Sequence, residues 1–399
     1  MQIDLKSQKW LAIWMISILV FQTVIGFSTF PSLSFITTTL SIISIPNFLL
    51  MAYLYCRQAQ VNMLEVLSFV FLTLFITSTF ISGTYMGGAI HRCTELLTYL
   101  MTISYYKHYL PTILKTLAVT FSVCVYLNGL VMVAFPDMML SADNMFDSFL
   151  LGGNYNQMGG RMLPAILFNC MCLPYSKKWI FNIIPLVFVS IGTLAIVGSM
   201  TSLTSIILFC IFCLIPNIRL CKYALYSTLI MVLLFQCLVV FSGNSLHDYE
   251  FIRYFVEDIL QKDMTFTYRT YLWDAAGKAF SQSPLIGYGN VDADWYFIHV
   301  NAAAIGPHNF IYNILLQGGI LLLLTLSAII CLCARSAMQS ESRMVMILGM
   351  SIAALFTMML MEVYPFLFLF MLLTLMYYFP TLYTKETIKP LQDSVLCQK

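Results

Sequence analysis

The sequence predicts an all-α integral membrane protein with about 12 transmembrane helices. Of its 399 residues, 60% are hydrophobic and only 10% are charged. One soluble core cannot hide so much apolar surface, because single cores stop growing near roughly 250–300 residues. The apolar runs are also continuous, whereas strands of a membrane barrel alternate polar and apolar residues. We therefore expect helices, each with roughly 20 residues in the bilayer.

Twelve apolar segments are the candidate membrane helices. They are 10–26, 34–56, 64–81, 89–106, 113–135, 162–173, 179–197, 203–215, 223–241, 310–334, 344–361 and 366–383. The sixth and the eighth are shorter than a full crossing requires. We interpret residues 1–399 as a single polytopic membrane domain.

Charge segregation predicts the orientation of these helices. Basic residues fall at every second junction, and acidic residues gather at the others. Because cytoplasmic loops are enriched in Lys and Arg, both termini are predicted to be cytoplasmic. Two segments on the opposite side are long, namely 136–161 and 243–307. We expect the second to be one large extracytoplasmic loop. Loops of this size are usually functional or disordered, and this one is too rich in aromatic residues to be disordered, so we expect it to be functional.

The large loop contains its own local signals. Apolar residues at helical spacing predict an amphipathic helix over 247–261. A second short helix is predicted over about 270–280, with Thr270 as a candidate cap. The stretch SPLIGYGN, at 283–290, has the Pro and Gly content of a turn. Pro307 and Asn309 indicate the start of the next membrane helix.

Three residues near the outer helix ends could carry chemistry. His308 lies at the mouth of the tenth segment, where an imidazole could accept a proton near neutral pH. It could equally be a polar helix-end residue satisfied by water or backbone. Arg269 stands among aromatic residues, as an interfacial anchor or a phosphate ligand. Arg161 follows two glycines, and it is either a phosphate ligand or a residue that snorkels to the interface.

Other polar residues have simpler interpretations. Arg92 is three residues before Glu95, a spacing that favours a local ion pair. Glu362 is interpreted as an interfacial or interhelical acid. Asp292 and Asp294, with the neighbouring aromatics, could hold a sugar or form a solvated loop.

A spaced set of residues over 269–318 resembles the O-antigen polymerase and ligase superfamily. The matching stretch reads RTYLWDAAGKAFSQSPLIGYGN, followed by PHNFIYNILLQGG. The set comprises Arg269, Trp273, Ala275, Pro284, Leu285, Gly287, Gly289, His308, Asn309, Leu315 and Gly318.

The resemblance implies an enzyme of the bacterial cytoplasmic membrane whose active site is on the outer face. Such enzymes transfer glycans from undecaprenyl diphosphate to an acceptor hydroxyl, with no cofactor, nucleotide sugar or required metal. It implies that His308 acts as the base and that Arg269 stabilises the leaving diphosphate. The central Ser-Arg pair of many members is missing from 198–205. The second phosphate ligand is therefore Arg161 or Arg92, or it is absent.

Trp273 and Asn309 belong to the matching set and are expected to contact the substrate. Asp292 and Asp294 are outside that set, and their carboxylates are candidates to bind a sugar. The predicted function is polymerisation of lipid-linked repeat units into O-antigen, capsule or exopolysaccharide. The alternatives are a ligase that transfers the glycan to lipid A core, and a transporter or flippase without chemistry. The expected partners are the lipid-linked glycan, the bilayer, and a chain-length regulator and flippase of the same pathway. No nucleic-acid partner is expected.

Overall fold

A computed structural model describes residues 5–26, 34–58, 61–135, 150–151, 155–243, 268–300, 306–338, 340 and 342–382. The amphipathic helix predicted over 247–261 lies outside the described residues. Within the described ranges the chain is helical and contains no strand. The α-helices are α1 Leu5–Val24, α2 Ser34–Gln58, α3 Met63–Ser82, α4 Met86–Tyr105, α5 Leu110–Ala134, α6 Gly159–Cys172, α7 Ile180–Ile196, α8 Met200–Leu214, α9 Ile218–Phe235, α10 Arg269–Gln282, α11 Ala293–His299, α12 Phe310–Met338, α13 Arg343–Met359 and α14 Phe366–Leu382.

Each of the twelve predicted segments falls on one of these helices. Six helical stretches in the described residues are long and apolar enough to cross a membrane. They are Phe35–Arg57, Met63–Ser82, Lys107–Ala134, Lys177–Ile196, Ile218–Val240 and Phe310–Met338. Three shorter apolar helices accompany them, namely Met200–Leu214, Arg343–Met359 and Phe366–Pro380. The chain is therefore a multi-pass membrane protein.

Helix α6 lies at the centre of the bundle. All 14 of its residues are buried, and it packs against α5, α7, α8 and α13. A helix of this length rises about 21 Å, which is less than the roughly 30 Å of a bilayer core. Because protein surrounds α6, its short length leaves no backbone group facing lipid.

Helix α12 is broken at Gly319, where φ is 62° and ψ is −161°. We call residues 284–289 the strap, because they fill this break. Two strap N–H groups donate to freed helix carbonyls, from Tyr288 to Leu316 at 2.6 Å and from Gly289 to Gln317 at 2.9 Å.

Two helix N–H groups donate in return to the strap. Ile320 N–H bonds to the carbonyl of Pro284 at 2.8 Å, and Leu321 N–H bonds to that of Leu285 at 3.3 Å. A Cβ on Gly319 would collide with the backbone of Leu285. All four backbone groups freed by the break are thus satisfied, as a membrane interior requires.

The strap is also attached to the end of α3. The hydroxyl of Ser78 donates to the carbonyl of Ile286, and that of Thr84 donates to the carbonyl of Tyr288 at 2.8 Å. Beyond the strap, Asn290 N–H donates to the hydroxyl of Thr79 at 3.0 Å. Since the strap follows α10 directly, α10 is fixed against both α3 and α12.

The opposite end of the bundle contains a polar cluster around Glu65. Asn62 and Glu65 form a capping box at the start of α3. The hydroxyl groups of Tyr55 and Tyr378 donate to Glu65 at 2.6 and 3.0 Å. This satisfied carboxylate joins α2, α3 and α14, so Glu65 has an interhelical role.

The short helices differ in detail from the sequence prediction. Helix α10 begins at Arg269, so the prediction that Thr270 caps it is wrong. Thr270 already lies inside the first turn and is buried, and the preceding Tyr268 has a left-handed conformation with no side-chain cap. Helix α11 was not predicted. Its N-cap is Asp292, whose carboxylate accepts from Trp295 N–H at 2.9 Å.

Candidate active site

At the start of α12, His308 faces a glutamate that lies 54 residues further along the chain. As predicted, the helix begins just after Asn309, whose side-chain oxygen accepts the N–H of Tyr312 at 3.0 Å. His308 lies in the turn before it with a φ of 46°. Its Nδ1 is 3.1 Å from Oε2 of Glu362, in the loop between α13 and α14. The two residues form a partly buried histidine–carboxylate pair.

The carboxylate of Glu362 is held in its ionised form. Burial alone would raise the pKa of Glu362, whose side chain is 6% exposed. The hydrogen bond and charge of His308 oppose burial, as do the N–H of Val363 and the charge of Arg269. Together they hold the pKa of Glu362 below its ordinary value.

The ionised carboxylate defines the tautomer of His308. Because Glu362 can only accept, Nδ1 of His308 carries the hydrogen and donates it. In the neutral imidazole, the second ring nitrogen, Nε2, then has a lone pair. The imidazole side chain is 21% exposed, so a small part of it is open to a substrate. This arrangement is suited to a general base.

Arg269 lies at the first position of α10 and approaches the same pair. It is partly buried, and its positive charge acts on both Glu362 and Tyr364. The residue before it, Tyr268, has a φ of 65°. Within the described ranges, Tyr268 and His308 are the two non-glycine residues with positive φ. Such conformations cost roughly 1–3 kcal/mol each and concentrate at functional sites.

Tyr364 connects the glutamate loop to the segment before α6. Its hydroxyl donates to the carbonyl of Asn156 at 2.8 Å, and Gln157 Nε2 donates to the carbonyl of Val363 at 3.0 Å. A Cβ on Gly160 would collide with the ring of Tyr364. Glycine at this position therefore allows the two segments to close on each other. Burial raises the pKa of Tyr364, so its phenol stays neutral.

Arg161, in the first turn of α6, has a buried guanidinium group. It is 5% exposed, donates from Nη1 to the carbonyl of Gln157 at 3.2 Å, and lies 5.4 Å from the ring centre of Phe368. Its Nε has no hydrogen-bond partner. In the described parts of the chain, no carboxylate lies within 4.0 Å of it. Burying a cation without an anion is costly, and an anionic ligand would supply the missing partner.

The structure places Arg92 beside a different element. Glu95 pairs with His91, whose Nε2 is 3.5 Å from the carboxylate. Arg92 interacts with Glu95 electrostatically, at more than ion-pair distance. Arg92 is exposed and interacts electrostatically with Tyr296 of α11. Tyr296 donates in turn to the side chain of Asn313 of α12 at 3.3 Å. Arg92 therefore borders α11.

The remaining predicted contact residues have structural partners. Trp273 is fully buried in a small core that α10 shares with α11 and α12. Asn309 is fully buried as the cap of α12. Asp292 caps α11, and Asp294 is exposed in its first turn. Asp292 and Asp294 are both exposed, and the carboxylate of Asp292 already accepts the N–H of Trp295.

Sequence reasoning did not assign three residues to the site, namely Glu362, Tyr364 and the buried Gln236. It interpreted Glu362 only as an interfacial or interhelical acid. Glu362 and Tyr364 approach the site from a loop far along the chain. The available signal was a single acid, in the stretch MEVYP, between two apolar segments. An acid in that position suggests a functional partner as readily as an interface residue.

Together, the fold and the site define a multi-pass membrane protein with a histidine–glutamate pair and two arginines at one end of its bundle. The comparison with protein families identifies the kind of domain. Residues 185–327 match the Wzy_C family, described as O-antigen ligase. The match covers a little over a third of the 399 residues, and over this part the chain is similar to that family. The matched stretch includes Arg269 and His308, and the resemblance predicted from the sequence is confirmed there. A comparison with curated proteins gives no match.

Proposed function

We propose that the protein polymerises polysaccharide repeat units carried on undecaprenyl diphosphate. One observation carries this proposal: the His308–Glu362 pair lies near Arg269 and Arg161. Arg161 is buried and has no carboxylate partner among the described residues. A base and an anion site are the two requirements of glycan transfer from a lipid diphosphate to a hydroxyl group. The family domain supports the same class of reaction.

The acceptor sugar hydroxyl would be activated by His308. As its oxygen bonds to the anomeric carbon of the donor sugar, its proton passes to Nε2 of the imidazole. The imidazolium that forms is stabilised by the ionised Glu362, which accepts from Nδ1 at 3.1 Å. General-base assistance of this kind contributes about 10²- to 10⁴-fold to a rate.

The leaving group would be held by the two arginines. As the bond from the anomeric carbon to the phosphate oxygen breaks, the lipid diphosphate gains negative charge. Arg269 is close enough to act electrostatically on Glu362 and Tyr364, and the charge of Arg161 acts on Tyr364 from α6. Donors aimed at developing charge in a site with little water typically contribute about 3–4 kcal/mol each.

Charge segregation supports an active site on the outer face of the bacterial cytoplasmic membrane. Basic residues lie at the α2–α3, α4–α5, α6–α7, α8–α9 and α12–α13 junctions. His308, Glu362 and Arg161 are at junctions of the opposite set. By the positive-inside rule both termini are cytoplasmic, and segments 136–161 and 243–307 are outer loops. Glycan carried on the outer leaflet would reach His308 directly.

The proposal is tested by the variants His308→Ala and Arg269→Ala. Each is expected to reduce chain extension by about 10²-fold or more while leaving membrane abundance intact. His108→Ala and Arg219→Ala, at the predicted cytoplasmic end, are the matched controls and should leave it unchanged. Long polysaccharide chains in cells with either active-site variant would refute the proposed mechanism.

A ligase is the second candidate, because the matching family is described as O-antigen ligase. Purified protein given only lipid-linked single repeats should produce a ladder of lipid-linked oligomers if it is a polymerase. Repeats that stay single until lipid A core is added would indicate the ligase. A flippase without chemistry would form no glycosidic bond in either mixture.

A further inference from the structure

Gln236 lies directly behind the histidine–glutamate pair. It begins a π-helical segment, Gln236–Val240, that extends α9. Its side chain is buried, with 6% exposed, and its amide faces that of Asn309. Asn309 Nδ2 donates to Gln236 Oε1 at 2.8 Å, and Gln236 Nε2 is 3.4 Å from Asn309 Oδ1. Both polar ends of Gln236 are thus used on one partner.

Asn309 passes this contact on to both members of the pair. It directly follows His308 in the left-handed turn, and its Nδ2 also donates to the carbonyl of Leu360 at 3.0 Å. Leu360 is two residues before Glu362. One buried amide therefore joins the turn that carries the imidazole to the loop that carries the carboxylate. The two contacts with Gln236 fix the orientation of the Asn309 amide.

The position of Gln236 is unusual in two further respects. A π-helical turn is rare and is found frequently at functional sites. A buried glutamine in a membrane bundle is also retained only where its hydrogen bonds are satisfied. Here the bonds are made to the residue beside His308.

We propose that Gln236 is a positioning residue that sets the distance between His308 and Glu362. Without its amide, Asn309 loses one of the partners that hold it in place. The turn at His308, with its φ of 46°, then loses a constraint that opposes relaxation. The imidazole moves away from the carboxylate, and the tautomer with a free Nε2 is no longer enforced. The consequence for catalysis rests on the proposed glycan transfer.

The first experiment is a double-mutant cycle on chain extension by the purified protein. Gln236→Leu is expected to lower kcat about 10- to 100-fold, as loss of an outer-shell partner typically does. KM for the lipid-linked repeat should stay the same. In a Glu362→Gln background, the same substitution should lower kcat less than about twofold. An equal loss in both backgrounds would overturn the proposal, because Gln236 would then act independently of the pair.

The second experiment needs no glycan transfer. Carbethoxylation of His308 by diethyl pyrocarbonate is followed against pH by mass spectrometry. Glu362→Gln should displace the carbethoxylation profile at His308, because the imidazole loses the carboxylate that holds Nδ1. Gln236→Leu should move it in the same direction, while the exposed His108 at the other end stays unchanged as internal control. An unchanged profile at His308 in Gln236→Leu would overturn the proposal.

Gln236→Asn covers the case in which the leucine variant does not fold. It keeps the amide but is one methylene too short to reach Asn309, so it should shift the carbethoxylation profile in the same direction. A profile identical to wild type in Gln236→Asn would count against a positioning role. If wild-type protein transfers no glycan, the proposed function fails, and the carbethoxylation profiles still decide whether Gln236 positions His308.

Discussion

Replacing Arg161 by methionine should stabilise the fold and remove activity at the same time. Arg161 is 5% exposed and has no acidic partner in the described residues. The effective cost of burying an ion is several kcal/mol, here taken as about 5 kcal/mol. The charged hydrogen bond to Gln157 returns about 2 kcal/mol, and the contact over Phe368 about 1 kcal/mol. A methionine of similar length should therefore stabilise the protein by about 2 kcal/mol.

The assay compares thermal unfolding and chain extension in the same detergent preparation. Arg161→Met should melt at a higher temperature than wild type and extend chains far more slowly. Inorganic pyrophosphate should stabilise the wild type, by about 2.7 kcal/mol at 100 times its Kd, and should not stabilise the variant. Lys278→Met, an exposed cation on α10, is the matched control and should change neither property. A variant that melts lower, and whose activity loss follows the loss of folded protein, would show that Arg161 is structural.

Three further variants probe other parts of the structure. Glu362→Gln should lower kcat about 10- to 100-fold across roughly pH 5 to 8. The loss should be constant over this range, because a carboxyl whose pKa is held below its ordinary value does not titrate there. A variant whose pH–rate profile rejoins that of the wild type within this range would contradict the prediction. Gly319→Ala should lower the free energy of unfolding by more than about 3 kcal/mol and reduce the yield of monodisperse protein. Gly192→Ala is the control and should be tolerated, because there is open space around its Cβ. Glu65→Ala should lower the free energy of unfolding by about 1–3 kcal/mol through lost hydrogen bonds, and so lower the melting temperature. The specific activity of the folded fraction should stay unchanged, and a fall in that activity would contradict a purely structural role.

The membrane helices could be predicted from the sequence because their signal is local. An apolar run of sufficient length dictates a helix in lipid, whatever it packs against. The position of His308 at a helix start was also a local signal, since Asn309 caps the turn that follows. Even the short α6 was recognised, although only the structure explains its length, through burial on all sides.

The partners in the site were beyond sequence reasoning, because they are separated by long stretches of chain. Glu362 reaches His308 across 54 residues, and Gln236 reaches Asn309 across 73. No periodicity links such positions. The break at Gly319 was missed for a related reason: a glycine pair in an apolar run fits a continuous helix until the strap that opens it is known.

The break in α12 has a consequence for how the protein is made. The strap precedes α12 in the chain, so it is synthesised before the helix whose backbone groups it satisfies. The part of α12 beyond the break can form its own hydrogen bonds as it enters the bilayer. The backbone groups next to Gly319 can be satisfied only when the strap lies beside them. The active-site end is therefore expected to assemble last, after both segments have been inserted. A chain arrested before residue 319 would contain every membrane helix up to α9 and still lack an ordered α10.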